Sequence, residues 1–151
     1  GYYALNTLRL EKSFGIWNNE FMQAYTPGET GLSRWISRGK NVEFVGKTPA
    51  LKELSEGKKT LQKTLITLEI KDAEVEANGY EPIWSKNNKR IGMTTSGGYG
   101  HNVDKSLAMA FVEPEFSEPG IELKTHIVGK EKSCIVLANS PWDPEGSRMR
   151  S

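Results

Sequence analysis

From Leu61 to the C-terminus the chain is a succession of short segments, several of which alternate apolar and polar side chains, each closed by a turn signal. Alternation with a period of two places every second side chain on one face, which suits a half-buried strand and no helix. In TLITLEI, Ile66, Leu68 and Ile70 share a face, and IELKTHIV (121–128) alternates as cleanly. RIGMTTS (90–96) and SCIVLA read as further strands. Asn78-Gly79 predicts a tight hairpin turn, KNNK (86–89) a second turn, and Gly129-Lys130 a third. SLAMAFV is an uninterrupted apolar run that fits a strand in a barrel or, alternatively, a helix in an α+β domain. Strands this short and this regularly spaced define a mainly β domain, a barrel or a sandwich.

The first forty residues differ. YALNTLRLEKSF puts Ala4 and Leu8 at helical spacing and predicts an amphipathic helix over 4–14. That helix starts at the chain end without a cap, from which an upstream segment is expected to be missing. TPGETGL (26–32) reads as a turn, with Pro27 fixing φ and Gly28 and Gly31 free to take positive φ. A boundary is expected near Gly39. Beyond it Thr48 is expected to cap a helix with Pro49 at its first position, ending at Gly57.

Charge and composition exclude several classes of function. With 20 Lys+Arg against 19 Asp+Glu in 151 residues the net charge is +1, which gives no electrostatic basis for binding nucleic acid. No apolar run approaches the roughly 20 residues of a membrane span, so no membrane partner is expected. Cys134 is the only cysteine; it forms no internal disulfide and reads as a small buried apolar residue. A cytoplasmic or mitochondrial matrix setting fits these features. His101 and His126 have no carboxylate at ligand spacing, so no metal site is expected. GGYGHNVDKS (97–106) has the glycines, Lys105 and Ser106 of a phosphate loop, but Asp104 stands where such a loop needs glycine. GGYGHN (97–102) is therefore expected to be a flexible loop joining two barrel strands.

The segment 3–35 is richest in candidate chemistry. Tyr3, Trp17, Phe21, Tyr25 and Trp35 stand among Arg9, Glu11 and Glu29. Aromatic rings beside fixed charges suit a flat heteroaromatic ligand bearing carboxylates, or else form a core or the face left by another domain.

Five blocks carry a resemblance: ALNTLRLEKSFGIWNNEF, TPGETGL, FVGKTPAL, IGMTTSGGYGHNVDKSLAMAFV and the closing SPWDPEGSRMR. In this order they resemble the C-terminal part of the folate-binding aminomethyltransferases, the family of the glycine cleavage T-protein. The glycine-rich block and the tail are more similar to the folate domain of sarcosine and dimethylglycine dehydrogenases. The resemblance implies that residues 1–42 end a folate-binding domain, a helical arm cut from its upstream half. Residues 43–151 would form a C-terminal barrel, jelly-roll-like, packed against it. It implies a tetrahydrofolate-dependent one-carbon transferase acting on a secondary amine, with any FAD bound outside this chain. The family's catalytic Asp belongs to the upstream half, so no catalytic residue is expected here, and the chain alone should be inactive. The other possibility is a non-catalytic barrel of the same family acting as a binding or docking module. The T-protein arginine three positions before the LRLE motif is replaced by Leu5. Arg9 and Glu11 remain, one reaching toward the folate channel, the other a ligand contact or a structural anchor. Trp17 is the expected stacking surface for the pterin or aminobenzoyl ring, with Tyr3 a second, and Tyr99 would close over the channel from the barrel.

Overall fold

A computed structural model describes residues 1–39, 41–148 and 150. Six antiparallel strands form a closed barrel: β1 (Thr64–Ile70), β2 (Pro82–Trp84), β3 (Arg90–Gly100), β4 (Lys105–Val112), β5 (Glu122–Ile127) and β6 (Lys130–Val136). They are ordered β1-β4-β3-β2-β5-β6, and β6 closes onto β1. Three hairpin-linked strands, β2 to β4, lie beside β1 in a Greek-key pattern read in reverse. The interior is filled by Ile66, Leu68, Ile70, Ile83, Ala108, Ala110, Val112, Leu123, Cys134 and Val136. The alternation read in β1 and β5 is therefore what points these side chains inward. Cys134 is buried there as expected, and burial pushes its thiol up to about 12.

The arm begins with helix α1 (Tyr2–Glu11), shorter at its end than the 4–14 expected. It packs on the outer face of β3 and β4, where Leu10 meets Leu107 and Met109 in a second apolar cluster. Both faces of β4 are thus buried, one by the barrel core and one by α1. A strand covered on both faces has no polar side to alternate with, which is why SLAMAFV reads as a continuous apolar run. It is a strand, and the helical alternative fails.

Three other expectations need correction. Gly97–Gly100 do not form a flexible loop: β3 runs through Gly100, and the turn is 101–104, with Asp104 at φ 55°. The glycines are needed for close approach, since a Cβ on Gly97 would lie 2.2 Å from the Ala77 carbonyl oxygen. Asn78-Gly79 is not a β-hairpin turn, because both edges of β1 are taken by β4 and β6. The connection 71–81 instead lays Ala77 into the core and Gly79 against Thr95. Helix α2 (Lys47–Glu56) is capped by Gly46 at φ 85°, with Thr48 and Pro49 already inside its first turn, although it does end at Gly57.

One turn holds as read, and the Gly129-Lys130 turn falls one residue earlier, with Lys130 already in β6. Ser85–Lys89 joins β2 to β3, with the Ser85 amide donating to the Lys89 carbonyl and Asn88 at φ 59°. The β5–β6 connection turns on Val128 and Gly129, both at positive φ (49° and 72°), as a two-residue loop matching the strand twist requires. Val128 is β-branched and exposed, so its backbone geometry is strained with no packing in return. Val128→Asn, which tolerates that region, should stabilise the chain by about 0.5–1 kcal/mol, read as a higher urea midpoint.

Candidate functional site

Three buried acids fasten the arm to the barrel. Glu20 is fully buried in the irregular stretch after α1. Its carboxylate accepts hydrogen bonds from Thr95 Oγ1 at 2.5 Å, Ser96 Oγ at 2.6 Å and the Ile16 amide at 2.9 Å. Residues 95 and 96 of a regular strand would point to opposite faces. The pairing of β3 with β4 shifts between Thr94 and Ser96, a β-bulge that turns both hydroxyls onto Glu20. Arg9 completes the cluster: Nη1 lies 3.3 Å from Glu20 Oε2 and donates to the Phe14 carbonyl, and Nε donates to Asn6. Burial lowers the Arg9 pKa, and the charge of Glu20 works against that shift.

Glu11, at the end of α1, accepts from the Asn102 amide at 2.7 Å and from Asn102 Nδ2 at 2.6 Å. Its own carbonyl takes the Trp142 amide, so the tail is tied to the same point. Glu29 accepts from the Thr26 and Lys63 amides, and Thr26 Oγ1 accepts from the Glu29 amide. This is a reciprocal capping box, Thr-x-x-Glu, visible in TPGE. Glu20 had no such signal, because its two hydroxyl partners lie 75 and 76 residues away on a bulge.

The five residues singled out in the sequence separate into three groups. Arg9 and Glu11 point inward and are committed to holding the arm. Trp17 and Tyr3 are open to solvent, at 79% and 88% exposure, on an arm that also exposes Tyr2, Leu5, Leu8, Phe14 and Trp35. Tyr99 lies on β3, its phenol hydrogen-bonded to Asp104 across the β3–β4 turn, which pushes its pKa up. The arrangement offers open ring surface for a flat ligand. It offers no carboxylate clamp at Arg9, whose guanidinium is already occupied.

A cleft of about 450 Å³ lies where the arm meets the rim of the barrel. Its walls include Asn19, Met22, Tyr25, Tyr80, Arg90 and Met93. Tyr25 stacks on Phe111 with ring centroids 3.8 Å apart. Burial, together with the nearby charge of Glu29, pushes the Tyr25 phenol up. None of the five sequence candidates lines this cleft. Among the described residues no cluster of His, Cys, Asp and Glu is placed to hold a metal, and no helix is long and apolar enough to cross a membrane.

A closed six-stranded barrel with a helical arm pinned across β3 and β4 defines the class of domain. The chain belongs to the glycine cleavage T-protein C-terminal barrel family, whose pattern matches residues 63–143. It is 39% identical over 150 residues to the mitochondrial dimethylglycine dehydrogenase of Rattus norvegicus, covering 99% of this chain and 17% of that protein. It is 30% identical over 137 residues to an aminomethyltransferase of Clostridium botulinum (strain Langeland / NCTC 10281 / Type F), covering 91% of this chain and 36% of the relative. In fold it matches the glycine cleavage system aminomethyltransferase T of Bartonella henselae, with a TM-score of 0.84, 23% identity, and coverage of 93% of this chain and 38% of that one. The chain thus spans well under half the length of these relatives.

Proposed function

We propose that this chain is the C-terminal part of a longer tetrahydrofolate-dependent one-carbon transferase, with an N-methylated amine such as sarcosine or dimethylglycine as carbon donor. The exposed ring of Trp17, on an arm otherwise fastened at Glu11, Glu20 and Glu29, carries this assignment. An indole held rigidly at its backbone and left open at its face is suited to stack on the pterin or aminobenzoyl ring. Tyr3 offers a second ring from α1, whereas the β3 residues that face α1 are Gly98 and Gly100, so Tyr99 lies on the other side of the strand and takes no part in the stack. The reduced folate accepts the one-carbon unit at its N5 and N10 atoms. Arg9 and Glu11 contribute by fixing the helix rather than by touching the ligand.

The groups that move protons would lie in the upstream half of the folate-binding domain, which is the partner of residues 1–42. General acid–base groups contribute about 10²–10⁴-fold each, so the 151-residue chain alone should show no aminomethyl transfer. The higher identity to the dehydrogenase, 39% against 30% to the aminomethyltransferase, supports a dehydrogenase-like parent with its flavin bound outside this chain, placed in the mitochondrial matrix or the cytoplasm. In that parent Trp17→Ala should raise KM for tetrahydrofolate about tenfold, the scale of losing a stacked ring, while leaving amine oxidation unchanged. Steady-state kinetics with varied tetrahydrofolate checks it; an unchanged KM removes Trp17 from the site.

A further inference from the structure

Asn78-Gly79 is not a hairpin turn, yet the glycine is required where it stands. Gly79 sits at φ 112°, and a Cβ there would lie 2.7 Å from the Thr95 carbonyl oxygen. Asn78 before it is exposed, and its side-chain amide has no hydrogen-bond partner among the described residues. A free asparagine side chain followed by glycine is open to one intramolecular reaction. The deprotonated Gly79 nitrogen, unhindered by a side chain, adds to Asn78 Cγ. The N–Cγ bond forms, the Cγ–Nδ2 bond breaks, and the leaving nitrogen departs as ammonia with the proton that Gly79 gave up. Water then opens the five-membered imide at either carbonyl, giving aspartate or isoaspartate.

In the folded chain that nitrogen is held away from the reaction. Glu81 Oε1 accepts from the Asn78 amide at 2.7 Å, and Oε2 accepts from the Gly79 amide at 2.9 Å. The carboxylate is itself fixed on the fully buried Thr94, whose Oγ1 donates to Oε2 and accepts from the Glu81 amide at 2.9 Å. The Tyr80 amide donates to the Thr94 carbonyl at 2.8 Å, and the Thr94 amide to the Glu81 carbonyl at 2.9 Å. On the other flank Ala77 is buried in the barrel core. Deprotonating the Gly79 amide would set a second negative charge within hydrogen-bond distance of the Glu81 carboxylate, which like-charge repulsion opposes. A backbone pinned on both flanks also cannot rotate to bring the Gly79 nitrogen onto Cγ.

We propose that Asn78 is a spontaneous modification site of the barrel, converted to aspartate or isoaspartate through Gly79 when the 71–81 connection opens, with Glu81 as the guard that keeps it intact in the folded chain. Water is the only co-reactant. Connections of this kind open locally at lower free energy than the whole domain unfolds. Isoaspartate adds a carbon to the backbone, so the two amides no longer fit one carboxylate. Aspartate sets a second carboxylate beside that of Glu81. Either product loosens the seat of Ala77 and Gly79 on β3, and refolding does not reverse it. A chain that has opened here is therefore marked at this position.

The test is peptide mapping by mass spectrometry of the 151-residue chain held in mildly alkaline buffer, reading the conversion of Asn78 with time. The folded chain should convert slowly, and the same chain in unfolding urea at least about tenfold faster, since only the open form reacts. Glu81→Gln, with its fold checked by circular dichroism, should convert Asn78 about tenfold faster than the folded parent chain, the scale of one hydrogen bond to a charged group. In urea the two chains should convert at the same rate, because the guard acts only in the fold. Where Glu81→Gln does not fold, Thr94→Val, which removes the hydroxyl that anchors the carboxylate, is read in its place with the same expectation. Equal rates for the parent chain folded and in urea overturn the proposal. A folded variant that converts no faster than the parent chain overturns it too, and so does a variant that is faster in urea as well, by making the effect one of local sequence.

Discussion

Replacing Glu20 by alanine should destabilise the chain by about 3–5 kcal/mol, because it leaves the buried Arg9 guanidinium without its counter-charge. The Thr95 and Ser96 hydroxyls and the Ile16 amide lose their acceptor in the same step. For a domain of this size such a loss lowers the melting temperature by on the order of 10 °C. Thermal and urea unfolding followed by circular dichroism reads it directly. The double variant Arg9→Met/Glu20→Leu distinguishes a buried unpaired charge from a lost fastening. Removing both partners together should recover much of the stability, since an apolar pair of similar volume is often no worse than the ion pair. If the double variant is as unstable as Glu20→Ala, the hydroxyl and amide contacts dominate and Arg9 is incidental.

Gly97→Ala should cost about 1–3 kcal/mol, toward the upper end of that range. The added methyl would sit 2.2 Å from the Ala77 carbonyl oxygen and 2.7 Å from its carbonyl carbon. Those are backbone atoms of the connection across β3, and they cannot rotate aside as a side chain would. The measured quantity is again the urea midpoint. A midpoint equal to that of the parent chain would mean that segment 71–81 is not seated on β3.

Much of the barrel was legible because burial leaves a periodic trace. β1 and β5 bury one face each, and their alternation named the inward residues Ile66, Leu68, Ile70, Leu123 and Ile127. β4 was ambiguous because α1 covers its outer face, which erases the alternation. The glycines of β3 looked like loop residues because their reason for being glycine lies in another segment of the chain. Asn78-Gly79 carries a strong local hairpin signal, overridden when β4 and β6 occupy both edges of β1. The candidate site divides in the same way. The aromatic content of the arm was plain in the sequence, and so was the Thr26–Glu29 capping box once its spacing is noticed. The orientation of Arg9 was hidden, since it depends on a bulge at Thr95 and a carboxylate 11 residues further on. The cleft of Tyr80 and Arg90 was hidden too, because the arm, the 71–81 connection and β3 meet there only in the folded chain.

The functional claim is tested most directly in the longer polypeptide, by following where the one-carbon unit of an N-methylated amine goes with and without tetrahydrofolate. Isotope-labelled sarcosine or dimethylglycine and chromatography of the products give the answer. The predicted result is label recovered on the folate when tetrahydrofolate is present and released as formaldehyde when it is absent. The same yield of free formaldehyde under both conditions, with no labelled folate, would contradict the account and leave the barrel as a docking module.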